Sequence, residues 1–434
     1  MNRICRRLLV ATIILAWTLP AFAAATSVVE TFDDGSVKVK YFTDDQGRKQ
    51  GNYVENYEKG RPKIHAQYRN DKLNGSYTEY SESGIPRLSA TYANGILHGP
   101  YTETDEKGLV LKDQVFWNGN ILYPNSAHIV NATLQAILAG RTSPVINPED
   151  AQPPAAPAGG SSGVARPASR RLSPATAFND DAVAALRFLN ACRFLASVPF
   201  DVTIKLEYAD LAAAAAEICQ KMGHGEHHPA NPGMPEDEYK YAVEGTSHSN
   251  LSSRITRLAG VRDFMNDYPV NDLIHRRWCL NPAMARTGFG TAGIFTIMYA
   301  MDTSRKDVPD YDFVTWPARG YMPATYFGSK FLWSVSPNPQ KYQGVTQGEV
   351  QVTVYPLLPG GPIADPHRRG PPIPLDVLTA ISVAPGVIAG GGPCIAFHPT
   401  AAPVQPGARY WVEITGLKTP GGEDTKIEYL VEFI

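Results

Sequence analysis

The sequence predicts an α+β chain, and three observations carry that prediction. A 24-residue period of hairpin-like units fills residues 51–122. Helical periodicity governs residues 179–279, and short alternating β runs occupy most of the chain beyond Thr287. Periods of 2 and of 3.6 residues are the marks of half-buried strands and amphipathic helices, and their segregation along one chain is the α+β pattern.

The chain has 434 residues, about three domains at ~150 residues each. Hydrophobic content of 43% and charged content of 19% belong to a chain able to fold around apolar cores. The net charge of −2 offers no basic field for nucleic acid or an anionic membrane. Residues 1–23 read as a signal peptide. Arg3, Arg6 and Arg7 precede an apolar run over 8–19, and Ala21-Phe22-Ala23 supplies small residues at the cleavage site. Pro20 cuts the run short of the ~20 residues that a membrane span needs, so no transmembrane segment is expected after cleavage. No cysteine follows the run directly, which argues against a lipid anchor. Removing three of the 40 basic residues leaves 37 against 42 acidic ones, a net of −5. The expected location is secreted or periplasmic. The four cysteines that remain, Cys192, Cys219, Cys279 and Cys394, have no CxxC spacing. They read either as disulfide partners in one of three pairings or as buried small apolar residues.

Within residues 27–124, units open at Gly51, Gly75 and Gly99, each with Tyr two residues on (Tyr53, Tyr77, Tyr101). A mid-unit Gly follows (Gly60, Gly84, Gly108), then an aromatic (Tyr68, Tyr92, Phe116) and an Asn (Asn70, Asn94, Asn118). Ser83-Gly84 and Asn94-Gly95 are turn dipeptides between alternating runs, so each unit is a hairpin that buries its face only by stacking on its neighbours. Stacking predicts two aromatic ladders along the ribbon. The Tyr-x-x-Tyr and Tyr-x-Asn-Gly patterns resemble the bacterial variant of the MORN repeat, and such arrays usually present a surface to partners. A structural spacer is the alternative.

Residues 142–174 are rich in Pro, Ala, Gly and Ser and read as an extended, protease-accessible linker. Asn179 or Asp180 then caps a helix through Val183, Leu186, Leu189 and Cys192. Residues 206–222 are Ala-rich and strongly helical. Leu251, Ile255, Leu258, Val261 and Met265 fall on one face of a third helix. Residues 288–301, 312–316, 330–334 and 349–355 read as strands. Residues 356–434 read as a small β-sandwich-like module with strands at 409–414 and 426–434, and Gly390-Gly391-Gly392 reads as a turn.

Five motifs in sequence are similar to the CAP superfamily, which comprises cysteine-rich secretory proteins, antigen 5, pathogenesis-related 1 proteins and bacterial relatives. They are Leu189-Asn190 with Arg193, His228 before Pro229, Ser249-Asn250-Leu251, His275-Arg276-Arg277-Trp278 with Leu280 and Pro282, and Gly288-Phe289-Gly290. Trp316-Pro317, Gly320, Pro323 and Trp333-Ser334 resemble an extension of one bacterial branch, so the likeness covers residues 182–355 and implies a CAP-like domain over 176–355. The resemblance implies a CAP-type α-β-α sandwich with a groove. It also implies a cavity of two histidines and two acids able to hold a divalent cation. Carried over, His228 and His275 match the histidines, and Asp267, three after Phe264, matches the second acid. Ser249 stands where the family has its first Glu, and Glu244 is the nearby carboxylate able to replace it.

His228, Glu244, Asp267 and His275 are thus the candidate cavity residues, with His228 and His275 as candidate metal ligands. A mixed imidazole and carboxylate set suits zinc or a similar divalent cation, and an open position would activate water. Histidines hydrogen-bonded to acids without catalysis are the other reading of the same residues. There is no HExxH, no G-x-S-x-G, no Walker loop and no G-x-G-x-x-G between a strand and a helix. Arg276 and Arg277 are expected to hold carboxylates and backbone carbonyls while Trp278 fills the core. The leading functional expectation is an exported, non-enzymatic CAP-family protein. Its ligand would be an apolar molecule such as a sterol or fatty acid, a cell-envelope component or a protein, and not nucleic acid. The competing expectations are a metal-dependent hydrolase or peptidase, and an adhesive or structural protein acting through its repeats.

Overall fold

The structure, a computed structural model, describes residues 26–151, 164–170, 174–267, 272–359, 364–382 and 392–434. The expected signal peptide, Gly390-Gly391 and parts of the expected linker (152–163 and 171–173) lie outside these residues. Among the described residues no helix is long and apolar enough to cross a membrane. Two compact units divide the chain, Met1–Leu111 and Lys112–Ile434.

The first unit is an antiparallel meander of β1 (Thr26–Thr31), β2 (Val37–Thr43), β3 (Lys49–Asn56), β4 (Pro62–Arg69), β5 (Lys72–Tyr80), β6 (Pro86–Ala93) and β7 (Ile96–Thr104). Each strand pairs with the next. The turns explain the period. Asn70-Asp71 and Asn94-Gly95 all have positive φ, which a two-residue hairpin loop needs to match the strand twist.

The second unit opens with the hairpin of β8 (Val110–Trp117) and β9 (Asn120–Tyr123). The helices are α1 (Ala127–Leu138), α2 (Pro174–Ala177), α3 (Asp180–Leu195), α4 (Leu206–Met222), α5 (Glu236–Ser247), α6 (Arg257–Asn266) and α7 (Ile274–Cys279). Asn179 Oδ1 caps α3 by accepting from Ala182 N at 2.9 Å, and α4 ends at Gly223 in the left-handed region. The strands interspersed with these helices are β10 (Thr203–Ile204), β11 (Ser249–Ser252), β12 (Arg286–Ala292) and β13 (Phe295–Tyr299), which form a sheet in the order β10-β12-β13-β11. Gly288 and Gly290 bring the β12 backbone against the backbone of α4. Phe289, between them, packs into the core with Leu189, Val261 and Phe264.

The helix read through Leu251 and Ile255 is shorter than its pattern. Thr256 Oγ1 caps it by accepting from Ala259 N at 3.2 Å, so α6 starts at Arg257, leaving Leu251 in β11 and Ile255 exposed. The pattern alone cannot distinguish a strand and a helix that both bury apolar residues on one core.

The remaining strands are β14 (Phe313–Trp316), β15 (Gly320–Met322), β16 (Trp333–Pro337), β17 (Gln351–Pro356), β18 (Leu375–Ile381), β19 (Cys394–Pro399), β20 (Arg409–Lys418) and β21 (Asp424–Phe433). They form two sheets, β14-β16-β19-β18 and β15-β21-β20-β17. The expected CAP-type α-β-α sandwich with a separate C-terminal β module is therefore corrected. Strand takes 37% and helix 22%, so the chain is mostly β, with a large antiparallel meander and several small sheets. Strands from 313–356 are completed by strands from 375–433, and one apolar cluster runs from Val130 to Phe433. Alternation announces a strand, but its partner is chosen by distant packing.

Parts of the expected linker dock on the second unit. Ile204 N donates to Val145 O at 2.8 Å, and Arg286 Nε donates to the buried Asp150 at 2.8 Å. Arg166 and Arg170 both hold the buried Asp210, which also accepts from Tyr241 Oη at 3.2 Å. Asp210→Asn should leave the two guanidiniums without their charge partner. Trypsin cleavage after Arg170 is then expected to accelerate about tenfold, because docking free energy is what protects a segment. Unchanged cleavage would show that these ion pairs do not hold it.

Candidate functional site

Of the four sequence-predicted cavity residues the fold brings together only Asp267 and His275. α6 ends at Asp267, whose left-handed backbone turns a buried carboxylate back toward α7. Asp267 Oδ2 accepts from the backbone N of His275 and Arg276 at 3.0 and 3.2 Å, satisfying amides of the first turn of α7. Oδ1 lies 2.7 Å from His275 Nδ1. An ionised carboxylate only accepts, so Nδ1 donates to Asp267. His275 is about one-fifth exposed, and its Nε2 makes no hydrogen bond among the described residues.

Glu244 pairs instead with His248, a residue the sequence reading passed over. Its Oε1 lies 3.1 Å from His248 Nδ1, but without hydrogen-bond geometry; Nδ1 bonds the Glu244 backbone oxygen at 3.0 Å. The His248 ring stacks on Tyr299, which stacks on Tyr208 with centroids 3.9 Å apart. Ser247 Oγ is also 3.2 Å from Nδ1. A proton relay needs acid and hydroxyl on opposite ring nitrogens, and here both approach the same one. This is not a nucleophilic triad.

His228 is exposed in the loop after α4 and makes no hydrogen bond, ion pair or ring contact among the described residues. Its neighbour His227 is the residue that is fixed, through Nδ1 to Thr246 O at 2.9 Å. Ser249, at the position of the family's first acid, is fully buried in β11. Among the described residues no group of three or more His, Cys, Asp or Glu side chains is placed to hold a metal ion. The residues present do not fit the expected divalent cation. Cys192, Cys219, Cys279 and Cys394 are all buried free thiols, and burial raises each of them.

The repeat array has a more regular geometry. Cross-strand pairing places Tyr53, Ala66, Tyr77, Ala90 and Tyr101 in one row across β3 to β7. Glu55, Ile64, Glu79, Leu88 and Glu103 form the row beside it. Each tyrosine hydroxyl donates to the Glu two residues on, at 3.1, 3.4 and 3.2 Å. Small Ala66 and Ala90 are buried between the rings, which stay half-buried. Tyr68 and Tyr92 lie edge-on to Tyr53 and Tyr77 at 5.5 and 6.0 Å, so the two expected ladders merge on one face. Burial, then Glu79, pushes the Tyr77 hydroxyl up to about 12. In the first copy Lys49 Nζ sits 5.1–5.3 Å from the centroids of Tyr41, Tyr53 and Tyr68. The aromatic period was legible in the sequence. The Glu row was not, because a carboxylate at a strand position reads as ordinary solvation.

No family model matches this chain, and no curated protein or solved structure matches it significantly.

Proposed function

We propose that this protein is an exported, non-enzymatic binding protein whose repeat array carries the recognition face. The observation that supports this reading is the half-exposed Tyr/Glu face repeating every 24 residues across β3 to β7. Rings whose hydroxyls are held by carboxylates present π-faces beside negative charge, a combination suited to lysine and arginine side chains. Lys49 over three of the rings is an intramolecular example of that contact. The preferred partner is a protein outside the cytoplasm that presents basic side chains. The order of motifs from Leu189 to Gly290 is similar to the CAP superfamily, better known for binding than for one shared chemistry, and supports the same class.

The test compares full-length wild type with Tyr77→Ala and Glu79→Gln in cross-linking to proteins of the source cell envelope. Either substitution should weaken capture of a discrete partner about tenfold, the scale of one lost cation–π or charged contact. The unfolding midpoint of Glu79→Gln should stay within ~2 °C, since a half-exposed cross-strand contact contributes roughly 0.2–1 kcal/mol. Identical capture by all three proteins would overturn the reading.

A further inference from the structure

Around α7 the chain buries two guanidiniums that make no ion pair among the described residues. Arg193 and Arg276 are each no more than 1% exposed. Arg193 donates to the backbone oxygens of Pro199, Cys279, Asn281 and Met284 at 2.7–3.3 Å. Arg276 donates to Met265 O, Leu332 O, Asn266 O and Ser334 Oγ at 2.7–3.2 Å. Every one of these acceptors is neutral. Asp267 acts on Arg276 only from beyond contact, since its oxygens already serve the His275 ring and two amides. Burial holds Arg276 down at about 10 and Arg193 at about 9, the direction expected of cations short of counter-charge.

A narrow crevice opens between α7, β14 and β16. It is lined by Arg276, Arg277, Asn281, Thr315, Ser334 and Ser336, with Leu280, Pro282 and Val314 as apolar walls. Among the described residues no carboxylate lines it. The buried Asn281 has its Oδ1 taken by Ala283 N at 3.0 Å, while Nδ2 has no partner among the described residues. Arg276 has five N–H groups and uses four of them on the oxygens above, which leaves one to donate. The enclosed part of the crevice is no larger than a water molecule or a halide.

We propose that this crevice is a binding site for one small inorganic anion of chloride size, held by Asn281 Nδ2 and the Arg276 guanidinium. A water would satisfy Asn281 but would add no counter-charge beside Arg276, which only the hydrogen-bonded Asp267 now offsets. An anion does both, and a buried charge is tolerated when it is paired and hydrogen-bonded. Since β14 and β16 complete a sheet with the C-terminal strands, the ion would tie α7 to that sheet.

The experiment follows thermal unfolding of the full chain while sodium chloride replaces sodium gluconate at constant ionic strength. The wild-type midpoint should rise in a saturable way, by ~3 °C or more near 100-fold over Kd. Asn281→Asp keeps the Ala283 contact and places a carboxylate where Nδ2 stands, so it supplies the missing charge itself. Its midpoint should no longer respond to chloride. Equal wild-type midpoints in the two salts would mean that the crevice holds water only and would overturn the proposal, whether or not the variant folds. A chloride response retained by Asn281→Asp would place the ion elsewhere. A stronger response to phosphate than to chloride would overturn the size assignment.

Discussion

Gly290→Ala is expected to destabilise the second unit by ~3 kcal/mol or more, or to prevent its folding, because the added methyl meets backbone rather than a movable side chain. A Cβ on Gly290 falls inside contact distance of Ala212 and Ala213 backbone atoms, and one on Gly288 does the same against Tyr208 and Ala209. To admit either methyl, α4 must lift from β12 and the buried alanines of that helix lose their partners. Gly421→Ala is the control, since its Cβ would only touch Thr419 Oγ1 at 3.7 Å. Thermal or urea unfolding of the three proteins decides the matter. A Gly290→Ala midpoint within ~1 °C of wild type would show that α4 does not sit on β12 this closely.

Asp267→Ala should cost ~3 kcal/mol, the second largest effect. It leaves the His275 ring and two backbone N–H groups without their acceptor in a buried place, and an unsatisfied buried donor costs ~1–3 kcal/mol. Alanine also tolerates the left-handed backbone at φ 52° less well than the acid does. Asp267→Asn keeps one acceptor and accepts that backbone, so its loss should be roughly half as large. Hydrogen exchange at the His275 amide gives a local readout and should accelerate in both variants, most in Asp267→Ala. Protection unchanged from wild type would remove Asp267 from its place as the organiser of α7.

Much of the local structure was legible because its causes are local. Residues 206–222 form α4 as their alanine content requires, and Asn179 caps α3 through the side-chain oxygen that its residue type suggests. Asn94-Gly95 turns the chain with positive φ at both positions. The runs at 312–316, 349–355, 409–414 and 426–434 all contribute to strands. Legibility ended where a distant segment had to be chosen. Strand β16 takes β19 as its neighbour some sixty residues on, and β15 lies parallel to β21. Nothing in the alternation of either strand names that partner.

The candidate site divides along the same line. Asp267 and His275 are eight residues apart, on either side of a helix end, and short-range geometry brings them together. His228 and Glu244 depended on loops and on a helix face whose direction only packing fixes. Glu244 went to His248 four residues on, and His228 to solvent. The 24-residue period, the Asn179 cap of α3 and the Asn94-Gly95 turn follow from the steric and hydrogen-bonding needs of a few adjacent residues. The tertiary structure alone decided that Tyr53 and Tyr68 share one face, that the C-terminal strands complete sheets begun at Phe313, and that Arg193 and Arg276 lie buried among neutral oxygens. Those outcomes depend on which surfaces exclude water together, a property of the whole packed chain that no short window contains.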